Sequence, residues 1–365
     1  MKQKIEGIIP VMLTPFDDQG TIDWGGLEAL IDWYLEKGAE GLFAVCQSSE
    51  MQFLSLAERT DLARFTVKAV SGRVPVIASG HIADDASDQA AELLAMAKTG
   101  IDGLVLVSNR LDKDNAGFDQ FRTALAAAAA GKALFLEKPF GINLDDSARL
   151  MNRLQAFDVP VAVNFTQASG ATLTDLLAAK ERGEMGALLG VDIIVTYTAW
   201  PRQWQKGADW LRFRAEGGMT REVISHFLFF TERVLGPLSL ISAHTTYPDD
   251  PSLCETAVLA RLESETGQAV SILATVGGAQ PDRQEFTVKG TKSSRRVTDF
   301  HKDAISYGDD FIAVREPPKD PRAISLKAQL DDLSLHLAAK PNRLATMKEA
   351  FRIQTLVENI LAKTL

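Results

Sequence analysis

Leu136-Glu137-Lys138-Pro139-Phe140 ends an apolar run that begins at residue 133. A short continuous apolar run reads as a buried strand. This one delivers a lysine to its C-terminal end, where parallel sheets take their ligands. The same pattern extends to both sides. Before it, strands are expected at 8–13, 41–46, 74–78 and 103–108, with helices at 24–37, 55–70, 86–98 and 118–130. Gly38, Gly100 and Gly131 close three of those helices. After it come a helix at 145–155, a strand at 159–163 and a helix at 173–182. The strand runs do not alternate, as expected when helices cover both faces. Six strand–helix units in succession predict a parallel sheet with right-handed crossovers.

Beyond Gly186 the pattern changes. Segments 188–198, 238–246, 257–262, 269–276 and 285–289 alternate apolar and polar residues. Turn signals such as Pro248-Asp249-Asp250-Pro251 and Glu265-Thr266-Gly267 separate them. This predicts a largely antiparallel sheet with one face covered. A helix at 214–235 interrupts it, and helices at 325–337 and 348–363 close the chain. The expected fold class is α/β plus α+β: an N-terminal parallel sheet domain of about six strand–helix units, then a C-terminal domain with a large, mostly antiparallel sheet. The expected division is 1–130, 131–170 and 171–365, with 1–170 able to form one parallel-sheet domain.

A length of 365 residues suits about two domains. A net charge of −9 and a pI near 5.2 argue against a nucleic-acid or anionic-membrane partner, since both need a basic face. Cys46 and Cys254 lie far apart, so neither a disulfide framework nor a metal site is expected, and a reducing cytoplasm is the natural compartment. The N-terminal residues lack an apolar signal segment, and the alanine-rich run 124–130 is far short of the roughly 18 residues that span a bilayer.

Two resemblances follow from particular residues. Gly7-Ile8-Ile9-Pro10, Thr14-Pro15-Phe16, Gly20-Thr21-Ile22-Asp23, Ser49-Glu50, Leu54-Ser55 with Glu58-Arg59, and Val74-Pro75-Val76-Ile77-Ala78-Ser79-Gly80 lie within residues 6–128. This segment resembles the dihydrodipicolinate synthase and N-acetylneuraminate lyase family of barrel aldolases. The resemblance implies a Schiff base between a lysine and a keto acid. The family's lysine and the tyrosine beside it belong to a later strand and have no match here. Gln47 and Ser48 stand where the family places two threonines, so Ser48 and Ser49 are the candidate contacts to a substrate carboxylate. Cys46 reads as a small buried apolar residue rather than a nucleophile.

The second set comprises Leu134-Phe135-Leu136-Glu137-Lys138-Pro139, Val159-Pro160-Val161-Ala162-Val163-Asn164, Gly183-Glu184-Met185-Gly186, Glu216-Gly217-Gly218, Glu222 with His226, and Lys289-Gly290-Thr291-Lys292. Residues 131–365 resemble the Gfo/Idh/MocA family of NAD(P)-dependent oxidoreductases, from the fifth strand of its dinucleotide domain onward. The resemblance implies NAD or NADP as cofactor and a sugar, polyol or related hydroxy compound as the small-molecule substrate. It also implies homo-oligomerisation through the C-terminal sheet. Lys138 matches the lysine that contacts the reacting hydroxyl, His226 the acid/base histidine, and Glu222 a position more often held by aspartate. Glu137, Pro139 and Asn164 are the candidate cofactor contacts, and Trp200 and Arg202 the candidate substrate contacts. Residues 222 and 226 are four apart and share a helix face, where a carboxylate can orient an imidazole.

The residues alone leave other readings open. Lys138 could be solvated at a strand end, His226 beside Phe227 could be a core histidine, and Glu222 could pair with Arg221 or Arg233. Tyr197, Trp200, Arg202, Trp204, Lys206, Trp210, Arg212 and Arg214 could stack on a sugar or hold an acidic substrate, or could pack on the sheet or meet another subunit. Asn164 could satisfy a strand end.

The chain thus reads as two families joined near Gly131, and the junction removes the Gly-x-Gly-x-x-Gly turn that carries a dinucleotide's pyrophosphate. The first expected strand runs instead into Thr14-Pro15-Phe16-Asp17-Asp18. The nearest substitute, Ser79-Gly80-His81-Ile82-Ala83, precedes Asp84-Asp85. Three readings follow: an oxidoreductase-like protein with doubtful cofactor binding, an incomplete Schiff-base lyase, and a catalytically inert oligomer.

Overall fold

The computed structural model describes residues 5, 7–105, 116–141, 143–205, 208–316 and 319–363. The chain divides into two compact units, Met1–Arg122 and Thr123–Leu365.

In the first unit, α1 (Trp24–Glu36), β1 (Leu42–Val45), α2 (Leu56–Val70), β2 (Val76–Ala78), α3 (Ala86–Ala97) and β3 (Gly103–Leu104) follow one another. The strands form a parallel sheet in the order β1-β2-β3. Met12, Leu27, Ile31, Leu42, Leu62 and Met96 are fully buried between sheet and helices. The strand expected at 8–13 is reduced to one parallel bridge, Val11 to Phe43. The Phe43 amide donates to the Pro10 carbonyl and the Met12 amide to the Phe43 carbonyl. Pro10 has no amide to return, so the ladder stays short. Residues 106–108 of the expected fourth strand lie outside the described residues.

α4 (Ala116–Ala129) precedes β4 (Leu134–Glu137), α5 (Leu144–Leu154), β5 (Val161–Asn164) and α6 (Ala171–Glu181). β4 and β5 pair in parallel as a two-stranded sheet of their own. The described strand–helix alternation is therefore split between two sheets rather than joined in one six-unit sheet. After it comes an eight-stranded sheet. Its strands are β6 (Leu188–Tyr197), β7 (Leu238–Thr246), β8 (Ala257–Ser264), β9 (Ala269–Val276), β10 (Arg283–Gly290), β11 (Ser294–Thr298), β12 (Lys302–Ser306) and β13 (Ile312–Ala313), in the order β13-β12-β11-β10-β6-β9-β8-β7. Every pair is antiparallel except β6 with β9.

Alternation decides which face is covered. Val191, Ile193, Val195, Val258, Leu262, Val270, Ile272, Phe286 and Val288 are buried. Ile194, Leu273, Leu259 and His244 stand in one row across four strands of the opposite face. α7 (Ser225–Leu235), α8 (Pro321–Leu337) and α9 (Met347–Leu361) complete the unit. α7 brings Phe227 and Phe230 onto Phe286. α8 starts four residues before its expected start, with Asp320 capping it and Pro321 in its first turn. α9 opens on a reciprocal cap between Thr346 and Glu349. Among the described residues no helix is long and apolar enough to cross a membrane.

Candidate active site

β4 ends at Glu137, which leaves Lys138 just beyond the sheet. The Lys138 ammonium donates to the Glu222 carboxylate at 2.6 Å and to the Glu222 main-chain carbonyl at 2.9 Å. The lysine side chain keeps only 10% of its exposure and the glutamate 29%. A charge-assisted pair this dry is much stronger than a surface pair.

The segment carrying Glu222 is fixed from several directions. The helix expected from residue 214 starts only at Thr220, because Gly217 and Gly218 intervene. Gly217 passes so close to the Leu211 carbonyl that a Cβ there would sit 2.3 Å from it, and Gly218 has φ +103°. Thr220–Ile224 is a single wide π turn, and α7 follows directly. The Thr220 amide donates to the buried Glu255 carboxylate at 2.7 Å. Arg221 forks onto Glu358 of α9 at 2.7 and 2.8 Å. Wide turns of this kind recur at functional sites.

His226 lies in the next turn, edge-on to Phe165 at 5.6 Å and to Phe300 at 5.8 Å. Its Nδ1 is buried and has no hydrogen-bond partner among the described residues. Desolvation, and then the charge on Lys138, hold the imidazole well below its ordinary pKa. The ring is therefore neutral at neutral pH and a weaker base than an ordinary imidazole.

Glu222 and His226 face a cleft of about 500 Å³, whose other walls carry Thr166, Gln167, Arg202, Trp204, Gln284, Asp299, Phe300, His301, Arg322 and Gln329. Lys138 is not in that wall. It lines a smaller cavity with Pro139, Phe140 and Phe165, so it supports Glu222 from behind.

The other expected contacts separate. Asn164 donates to Glu137 at 2.8 Å and accepts from Gln329 at 2.7 Å, bridging β4, β5 and α8. Trp200 donates its indole N–H to the Leu211 carbonyl at 2.9 Å and packs on Tyr197, behind Arg202. Lys206 lies outside the described residues. Ser48 and Ser49 belong to the first unit. Ser48 is exposed, whereas the Ser49 hydroxyl is fully buried and bonded to the Met12 and Ala44 carbonyls at 2.8 and 3.0 Å. Ser49 is thus committed to closing its own turn rather than to a ligand.

Sequence reasoning missed the residues contributed by the β11–β12 turn. Asp299 and Phe300 both have left-handed backbone, at φ 52° and 65°. That conformation is unusual for phenylalanine. The Phe300 ring stacks on Phe227 at 4.4 Å, which offsets part of the cost. Among the described residues no three His, Cys, Asp or Glu side chains gather as metal ligands.

In the first unit, main-chain amides near the strand ends already have carboxylate partners. Glu92 accepts from the Ile82 and Ala83 amides at 2.7 and 3.0 Å and from Arg59 at 2.9 Å. Burial works to raise its pKa, and these bonds outweigh it and hold the carboxyl below its usual value. Gly80 opens no space, since a Cβ there would meet Met96 at 2.5 Å. Asp17 closes its turn by accepting from Gln19 and Thr21, and Asp23 caps α1 through Gly26.

Residues 4–193 match the dihydrodipicolinate synthetase family. That is just over half of the chain, and the chain belongs to this family. The match runs past residue 128, through β4, β5 and α6, and into β6. The 4-hydroxy-tetrahydrodipicolinate synthase of Polynucleobacter asymbioticus is 37% identical over 97 residues, which are 27% of this chain and 31% of that protein. The chain spans about a third to three fifths of the length of the first such relatives. Solved structures point elsewhere. An oxidoreductase from Agrobacterium radiobacter, crystallised with NAD+, L-tartaric acid and magnesium, superposes with a TM-score of 0.61 at 14% identity, over 79% of this chain and 89% of its own. The WlbA dehydrogenase of Bordetella pertussis, in complex with NADH and UDP-GlcNAcA, gives 0.56 at 21% identity over 80% and 89%. At these identities the likeness is one of fold. Together the two sets of matches give the chain a fusion-like architecture.

Proposed function

We propose that this is an oxidoreductase-like protein whose second unit binds a sugar, polyol or related hydroxy compound. The observation that carries the reading is the Glu222 carboxylate, tied to Lys138 at 2.6 Å, beside a neutral His226 in one cleft wall. Oxidation of a secondary alcohol requires removal of the hydroxyl proton. His226, a neutral and weakly basic imidazole in the cleft wall, can accept a hydrogen bond from such a hydroxyl, and Glu222 can accept one from a neighbouring hydroxyl. Lys138 holds Glu222 in place through its bonds to the carboxylate and the main-chain carbonyl.

NAD or NADP is the cofactor the dehydrogenase fold implies. A pyrophosphate needs unoccupied main-chain amides at a helix start. In the first unit Asp23 already caps the start of α1, and Asp17 and Glu92 hold main-chain amides of the neighbouring turns. The described residues do not fit the group. NADH and NADPH titrated into the full chain are therefore expected to give no saturable energy transfer from tryptophan and no rise in melting temperature. Neutral and acidic polyols are expected to bind, and to stop binding in Glu222→Leu. Saturable transfer with a raised melting point would overturn the mismatch. Polyol binding indifferent to Glu222→Leu would overturn the site.

Family membership favours a second reading, a Schiff-base lyase. Borohydride trapping with pyruvate tests it. No covalent adduct is expected, because the Lys138 amine is engaged twice by Glu222. An adduct mapped to Lys138 would make the lyase the better reading.

The open sheet face fits a second copy of this chain. Leu259, Leu273 and Ile241 are 52%, 42% and 60% exposed, and Asp192 and Arg261 border the same shallow groove. A face with apolar residues flanked by both charges can complement itself about a two-fold axis. Light scattering is expected to report a dimer or higher even-numbered assembly in the wild type and a monomer in Leu259→Glu. A monomeric wild type would dismiss the pairing.

A further inference from the structure

The charges around the cleft are unequally committed. Its two carboxylates are already paired, Glu222 with Lys138 at 2.6 Å and Asp299 with Lys302 at 2.7 Å. Its two guanidiniums have no ion-pair partner among the described residues. Arg202 gives its Nε to Gln205 at 2.9 Å and lies over the rings of Tyr197 and Trp204, at 5.1 and 4.7 Å. Arg322 lies 5.8 Å from the same Trp204 ring, in the first turn of α8. An aromatic ring holds a guanidinium by its face and leaves the fork of N–H donors at its edge available. Two such forks beside one exposed indole make a carboxylate site, because guanidinium matches carboxylate geometry in a bidentate way. Gln167 and Gln284 in the remaining wall offer both donors and acceptors to hydroxyls.

Resting on the reading of this cleft as the substrate site, we propose that its substrate is a sugar acid. Arg202 and Arg322 take the carboxylate beside Trp204, and the hydroxyl-bearing carbons extend toward Glu222 and His226. The overall charge of −9 makes this local excess of cation more telling, since it cannot be a general property of the surface. Trp204 would serve as a positioning residue that keeps both guanidiniums at the cleft mouth.

Calorimetry on the full chain, with sodium gluconate and sorbitol as matched probes, tests this. The two differ at one terminal carbon, carboxylate against alcohol. Gluconate is expected to bind at least tenfold more tightly than sorbitol, with an affinity that falls as salt rises. Arg322→Gln, an exposed position whose loss should not disturb folding, is expected to remove at least tenfold of the gluconate affinity and leave sorbitol unchanged. Arg202→Gln should act in the same direction, with its melting curve recorded alongside. Equal binding of the two probes, both lost in Glu222→Leu, would overturn the acid preference while leaving the substrate site standing. Preference for gluconate that survives both arginine substitutions would overturn the arginine pair. Failure of both probes to bind would overturn the site and the sugar acid together.

Discussion

Arg295→Met is expected to destabilise the second unit by about 3–5 kcal/mol, the usual cost of stranding one member of a buried ion pair. Asp303 has no side-chain exposure and Arg295 has 6%, and the guanidinium Nε meets the carboxylate at 2.9 Å. Without the arginine the carboxylate keeps its burial and loses its counter-charge. Arg295→Met/Asp303→Leu, which removes both charges, should recover most of the loss, since replacing a whole buried pair by apolar residues is often neutral. Urea unfolding of the two variants checks the pair. A single-variant loss below about 1 kcal/mol would mean that water reaches Asp303. The site should respond as well. Arg295 and Asp303 staple β11 to β12, and the turn between those strands brings Asp299, Phe300 and His301 to the cleft. Gluconate affinity should therefore fall in the single variant and return in the double.

Phe165→Ala should cost a similar amount, about 3–5 kcal/mol, and should also change the acid–base behaviour of the site. Phe165 is 3% exposed, stacks on Phe229 at 4.7 Å and presents its edge to His226. Removing the ring lets water reach the imidazole. At present the folded pKa of His226 lies below that of the unfolded chain. As pH falls through about 6.5 the unfolded chain binds a proton that the folded protein refuses. The stabilisation His226 contributes is thus present above that pH and is lost below it, with a slope of up to about 1.4 kcal/mol per pH unit. Hydration raises the folded pKa, so Phe165→Ala should flatten this slope even as it lowers stability everywhere. Proton NMR titration of the histidine ring resonances, with His226→Gln for assignment, reads the shift directly. A wild-type His226 that titrates near 6.5 would contradict the burial argument.

Some of this arrangement was legible in the residues and some was not. The apolar run before Lys138 is a local signal that the fold keeps as β4, whereas the four-residue spacing of Glu222 and His226 does not become a carboxylate–imidazole bond: Glu222 sits in the π turn and its carboxylate is bonded to Lys138. β6 to β10 announce themselves through alternation. β11 and β12 do not, because the positions they turn inward include Arg295 and Asp303, which satisfy each other instead of showing an apolar period. The cleft's far wall had the same difficulty. Arg322, Asp299 and Gln167 lie far apart in sequence and meet only through the crossing of α8, the β11–β12 turn and the segment after β5. The early end of the expected helix at residue 220 has a plain signal in Gly217-Gly218, and the continuous apolar pattern behind it obscured that signal.

The wide turn at Thr220–Ile224 also makes segment length matter as much as residue identity. A π turn accommodates one residue more than an α turn, and each residue of an ordinary helix swings the next by about 100°. Losing any one residue here would let the segment rewind as plain α-helix. Glu222 would then rotate away from Lys138 while α7 kept its seat on the sheet. A single in-frame codon deletion, conservative on paper, is therefore expected to part Glu222 from Lys138 more thoroughly than most substitutions at either residue.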